Sequence, residues 1–124
     1  MTGGSPRPAS AGSAAGAITR ILQDRPGTTG LVVQNEAIIS PLLSVLRTAG
    51  RTVPEDMSVV AICPDEVAER TAPHLTSVAI PAEDMGRRAV EMLTRRLADG
   101  VASEVTLLAP ELTVRGSTGR VPAS

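Results

Sequence analysis

No aromatic residue and no lysine occurs among the 124 residues of this chain, and cysteine and histidine occur once each. Each absence narrows what the chain can do. Without Trp, Tyr or Phe it has nothing to stack on a sugar face or a nucleobase, and its core must be assembled from Val, Leu, Ile, Ala and Met. A lone cysteine can neither close an internal disulfide nor supply the thiols of a zinc cluster, which fits a reducing cytoplasm. With His74 as the only imidazole, no histidine pair can hold a metal, and neither a metal nor a cofactor is expected. Charge is balanced, with 12 basic and 13 acidic residues giving a net charge of -1. No basic run makes an electrostatic footprint for nucleic acid. No apolar run approaches the ~20 residues of a bilayer span, and the first twenty residues lack the cationic segment and apolar core of a secretory signal.

What is present reads as alternating helices and strands. Residues 1–13 have the small-residue composition of a flexible linker. Their GGSPRPASAG lacks the Gly-Lys-Ser/Thr of a phosphate loop. In AGAITRILQDRPG, Ile18, Ile21 and Leu22 fall at helical spacing and Pro26-Gly27 stops the helix. GLVVQ (residues 30–34) reads as a buried strand, and AIISPLLSVLRTAG as a helix capped by Gly50. Pro41 leaves two starts open for that helix: at Ser40-Pro41, or from Glu36 with a kink. MSVVAI (residues 57–62) is continuously apolar, which predicts a strand buried on both faces. LTSVAI (75–80) is a third strand. MGRRAVEMLTRRLADG is a helix with Met85, Ala89, Met92, Leu93 and Leu97 on one face and Arg87, Arg88, Arg95 and Arg96 on the solvated other. EVTLLA and ELTVR read as short strands around Pro110. The alternation predicts an α/β fold with a largely parallel sheet and flanking helices.

In parallel sheets ligands collect beyond the carboxyl ends of the strands, which directs attention to Gln34-Asn35-Glu36 and Cys63-Pro64-Asp65. Asn35, the chain's one asparagine, can donate to and accept from a ligand hydroxyl, or cap the following helix. Cys63 reads as a nucleophile or as a small buried side chain at a strand end. The nucleophile would stand among acids that raise its pKa, with a proline behind it that has no N–H for an oxyanion. No catalytic residue is expected.

Taken in order, NEAIISPLLSVLRTAGRTVPEDMSVVAI, PHLTSVAIPAEDMGRRAVEMLTRRLADG and LAPELTVRGSTG resemble the effector-binding domain of the LacI/GalR family of bacterial transcription regulators, over roughly residues 17–119. The resemblance implies part of a periplasmic-binding-protein-like sensor, with portions of two lobes joined by crossing strands. Residues 14–78 would fall in the second lobe, 79–110 in the returning first lobe, and 111–124 would be the closing strand and tail of the second. It further implies a small-molecule effector of sugar-like kind, and a homodimer or a heterodimer with a family member. DNA would be contacted only through a helix-turn-helix domain absent from these residues. Asn35 would contact the effector. Cys63 would also line the effector site, standing where the family usually has an aspartate, and Asp65 is the nearest acid to take that aspartate's place. Ile38, Leu42, Val45 and Leu46 would divide between lobe core and subunit interface, with Val67 beside them. A solute-binding protein of the same architecture and a truncated, non-functional remnant are the alternatives.

A partial lobe also implies an unpaired strand edge. The expected outcome is a weakly stable monomer or self-association, read as a urea midpoint that rises with protein concentration.

Overall fold

The computed structural model describes residues 11–100 and 105–123, with side chains from residue 14 onward. Helix α1 (Ala11–Asp24) leads into strand β1 (Gly30–Val33), then helix α2 (Glu36–Thr48) and strand β2 (Ser58–Ile62). A single turn, α3 (Asp65–Ala68), precedes β3 (Thr76–Ala79), helix α4 (Ala82–Asp99) and β4 (Glu111–Thr113). The strands form one sheet in the order β1-β2-β3-β4. β1, β2 and β3 are parallel, with Val32 opposite Val60 and Val60 opposite Thr76. β4 runs antiparallel to β3, pairing Leu112 with Val78. The α/β architecture with a largely parallel sheet is therefore the one the alternation predicts.

Local chemistry sets the helix ends. Asn35 is extended, and its carboxamide oxygen accepts a 2.9 Å hydrogen bond from the Ala37 N–H. That satisfies one orphan donor of the first turn, so α2 starts at Glu36 and carries Pro41 in its interior. At the other end Gly50 takes φ 74, a left-handed conformation that a Cβ disfavours. The N–H groups of Gly50 and Arg51 return to the carbonyls of Arg47 and Leu46, closing the helix in a Schellman motif.

The core lies on one face of the sheet. Ile18, Ile39, Leu42 and Leu46 from the helices meet Val33, Val59, Ala61 and Leu75 from the strands. The alternation along β2 puts Val59 and Ala61 inward and leaves Val60 and Ile62 half-buried. The expectation that this strand is buried on both faces is thus corrected. On the second face Val32 is 72% exposed and Leu112 61%, because no described helix covers them. Helix α4 also has no buried residue. Its Met85–Ala89–Met92 stripe borders residues 106–108 across a hollow of about 340 Å³, while Leu93 and Leu97 stay exposed.

Three boundaries differ from the sequence reading. Helix α1 begins at Ala11, inside the span read as linker; residues 1–10 lie outside the described part. Residues 105–109 form no strand, since they run beside α4 and have no sheet partner. The α3 turn was not expected, four residues being too few to show a period.

The last segment is stitched into the sheet by Ser117, which is fully buried. The β2–β3 ladder begins only at Val60 and Thr76, and Ser117 fills the fork below it. Its carbonyl accepts from the Val59 N–H at 2.9 Å. Its hydroxyl donates to the Val59 carbonyl at 2.5 Å and accepts from the Thr76 N–H at 2.8 Å. Thr118 and Thr76 bond through their hydroxyls at 2.8 Å.

Replacing Leu46, 1% exposed, by alanine should cost about 2–5 kcal/mol through lost burial and a residual cavity. Ser117→Ala should cost about 1–3 kcal/mol by orphaning buried backbone groups. Urea unfolding of each variant against the parent measures both.

Candidate functional site

The carboxyl ends of β1, β2 and β3 open onto one cleft of about 950 Å³, lined by Gln34, Asn35, Glu36 and Ile38, then Ile62, Cys63 and Pro64, then Ile80 and Ala82. Its position follows from the parallel strands: each leaves the sheet at the same end, and each following loop turns away to a helix, leaving a hollow between the turns.

Asn35 does one of the jobs its sequence position allowed and leaves a group free at the cleft for the other. Its Oδ1 caps α2, and its amide nitrogen, with no protein partner among the described hydrogen bonds, stands in the cleft wall with two protons to donate. Glu36 follows it in the first turn of α2, where the helix dipole favours a carboxylate. Cys63 ends β2 at the floor of the cleft and is buried against the core. Burial pushes its thiol above the ordinary thiol range. The carboxylates of Glu36 and Asp65 push the same way, while Arg115 and a hydrogen bond from the Ala68 backbone pull against them. A protonated, buried thiol is a weak hydrogen-bond partner and a poor nucleophile.

The other expected residues are placed as follows. Asp65 is not among the residues lining the cleft: its Oδ1 accepts from Arg115 Nη2 at 2.9 Å. The cause is local, since Pro64 is extended and the chain turns at once into α3, carrying Asp65 over toward the C-terminal segment. Leu42 and Leu46, two of the four residues expected to divide between lobe core and subunit interface, are 2% and 1% exposed. They belong to the chain's own core, because the inward face of α2 lies on β1 and β2. Ile38, Val45 and Val67 are half-buried and keep surface free, Ile38 at the cleft rim. His74 lies away from the cleft and bonds through Nδ1 to the Thr71 carbonyl at 2.8 Å. Among the described residues no cluster of three His, Cys, Asp or Glu side chains could hold a metal ion. No described helix is long and apolar enough to cross a membrane.

Sequence reasoning missed the third wall, Ile80 and Ala82. The signal was available: LTSVAI is the third parallel strand, and the carboxyl-end rule applies to it as to the other two.

The sheet and cleft have relatives. A sequence model of the periplasmic-binding-protein-like domain matches residues 2–118. That match reaches into the small-residue start, where the motifs alone show no resemblance. The HTH-type transcriptional regulator CelR of Thermobifida fusca is 35% identical over 106 residues, covering 85% of this chain and 31% of that protein. The structure of a transcriptional regulator CelR–cellobiose complex superposes with a TM-score of 0.75 at 33% identity, over 87% of this chain and 33% of that one. A LacI family transcriptional regulator from Arthrobacter sp. FB24, in complex with lactose, gives 0.73 at 31% identity, over 89% and 42%. The chain thus spans about a third of the length of the curated relative.

The raised thiol pKa has a testable consequence for stability. With its folded pKa above its unfolded one, Cys63 contributes stability that is complete below the ordinary thiol range of ~8.5 and is lost as pH rises through the folded value. The chain has no lysine and no tyrosine, so between about pH 8.5 and 11 no other side chain titrates. Urea midpoints should fall across that window in the parent and stay level in Cys63→Ala.

Proposed function

The chain belongs to the periplasmic-binding-protein-like domain family of LacI/GalR-type transcription regulators, and on that premise we propose that it is the effector-sensing and dimerising portion of such a regulator. The observation that supports this reading most directly is the cleft itself. It is a concave site at the carboxyl ends of three parallel strands, lined by the amides of Gln34 and Asn35, one carboxylate and otherwise small or aliphatic side chains. Relatives of this sequence are seen with cellobiose and with lactose, and a sugar-like effector is the reading that follows for this cleft. Asn35 donates to an effector hydroxyl, Glu36 accepts, and Cys63 forms the floor.

On this reading residues 79–110 belong to the first lobe, which accounts for an α4 that buries nothing against the sheet. Residues 14–78 and 111–124 belong to the second. The half-buried surface of Ile38, Val45 and Val67 faces a second subunit, either the same chain or a family member. DNA is reached through a domain outside these residues, and effector occupancy changes operator affinity by favouring one arrangement of the lobes. The protein acts in the cytoplasm and performs no catalysis.

Calorimetric titration with cellobiose and lactose tests the effector reading. Asn35→Ala should weaken binding about threefold to tenfold, the worth of one neutral hydrogen bond. Cys63→Asp, which restores a charged acceptor at the floor, should tighten it by about tenfold or more. Sugar binding unchanged by both substitutions would place the effector elsewhere.

A further inference from the structure

Arg115 is 12% exposed, and its guanidinium ties the start of β3 to α3. Nη1 donates to the Leu75 carbonyl at 2.9 Å and to Ser77 Oγ at 2.6 Å. Nη2 donates to Asp65 Oδ1 at 2.9 Å and lies 3.6 Å from Glu69 Oε1. Its backbone N–H donates to Thr76 Oγ1 at 2.9 Å. A fork of five fixed donors suits this work, whereas a lysine offers a single point charge. The partners differ in kind. Leu75 and Ser77 are buried in the sheet, but Asp65 and Glu69 sit at the two ends of α3 and are 52% and 60% exposed.

At its C-terminal end α3 is held by the Leu75 N–H, which donates to the Ala68 carbonyl at 3.0 Å, and by Val67 packed on the core; among the described hydrogen bonds α3 has no such backbone anchor at its N-terminal end. It is one turn long, its N-cap is a proline that makes no side-chain bond, and Ala68 is its one buried residue. The Val67 and Ala68 N–H groups both donate to the carbonyl of Pro64, and Pro64 is a wall of the cleft next to Cys63. The position of α3 therefore sets the position of that wall.

We propose that Arg115 is a positioning residue for the effector cleft: by pairing with Asp65 and Glu69 it clamps α3 to the sheet, fixes the Cys63-Pro64 wall, and keeps the Asp65 carboxylate out of the cleft. The closing segment of the chain, which contributes no residue to the cleft lining, governs its shape from behind. This rests on the effector reading of the cleft, but its test needs no effector, so the two stand or fall separately.

The test is amide hydrogen exchange of the full chain, resolved at Val67, Ala68 and Glu69, with α2 amides as the internal reference. Asp65→Asn, and the same change combined with Glu69→Gln, alter exposed carboxylates and avoid the buried contacts that Arg115→Gln would break. At low salt both variants should exchange at α3 about threefold to fivefold faster than the parent, as expected for losing a partly exposed ion pair, with α2 unchanged. Molar salt should bring the parent to the variants' rate and leave the variants unmoved, and Asp65→Glu should restore the parent's protection. A role in general stability would raise exchange in α2 and α3 together. That result, or α3 exchange in the double variant equal to the parent's at low salt, overturns the proposal.

Discussion

The buried hydroxyl of Ser117, wedged where β2 and β3 part, is the contact on which the rest of the structure depends. It donates to one strand and accepts from the other, closing the ladder where direct pairing stops. A buried donor and acceptor left open there would cost far more than the bond itself returns. Because residue 117 is held in the sheet, the residues before it are held too: Arg115 reaches β3 and α3, and β4 pairs along β3. A hydroxyl at the amino ends of the strands thus anchors the arginine that steadies their carboxyl ends.

The second constraint is asymmetry. Two helices cover one face of the sheet and give it a core of aliphatic side chains, tight around Leu42, Leu46 and Met57. The other face presents Val32 and Leu112 to solvent, and the free edge of β1 lies beside an apolar hollow of about 200 Å³ lined in part by Ile21 and Leu31. At roughly 25 cal/mol per Å² of apolar surface, uncovered valines and leucines are stabilisation the described residues do not realise. Relatives about three times as long accompany this geometry. A helix such as α4, amphipathic in sequence and unburied here, likewise takes its apolar stripe from an environment larger than the sheet it follows.

Much of this was legible beforehand. Periodicity and punctuation located three parallel strands and the helices α2 and α4, whose far ends are chemical stops, Gly50 for α2 and Gly100 for α4, while the start of α2 stayed open between Glu36 and Pro41. The ordered motifs identified the family, and the carboxyl-end rule pointed to Asn35 and Cys63. The errors have physical causes. Continuous hydrophobicity in MSVVAI could not say which face is covered, since that depends on helices packing from elsewhere. EVTLLA has the composition of a strand but no partner to pair with. Sequence distance also ignores direction: Asp65, two residues from Cys63, turns away from the cleft lining toward Arg115.

What the sequence by itself determined was the kind of object: an aromatic-free α/β domain with an amide and a thiol at neighbouring strand ends, and a family likeness spread over roughly residues 17–119. Spacing, capping and composition are local, and locality is what sequence reports. Only the tertiary structure decided which acid lines the cleft. Glu36 stays in it because the dipole of α2 holds a carboxylate in the first turn. Asp65 leaves it because an extended proline turns the chain toward an arginine fifty residues away, and no local pattern encodes a partner at that distance.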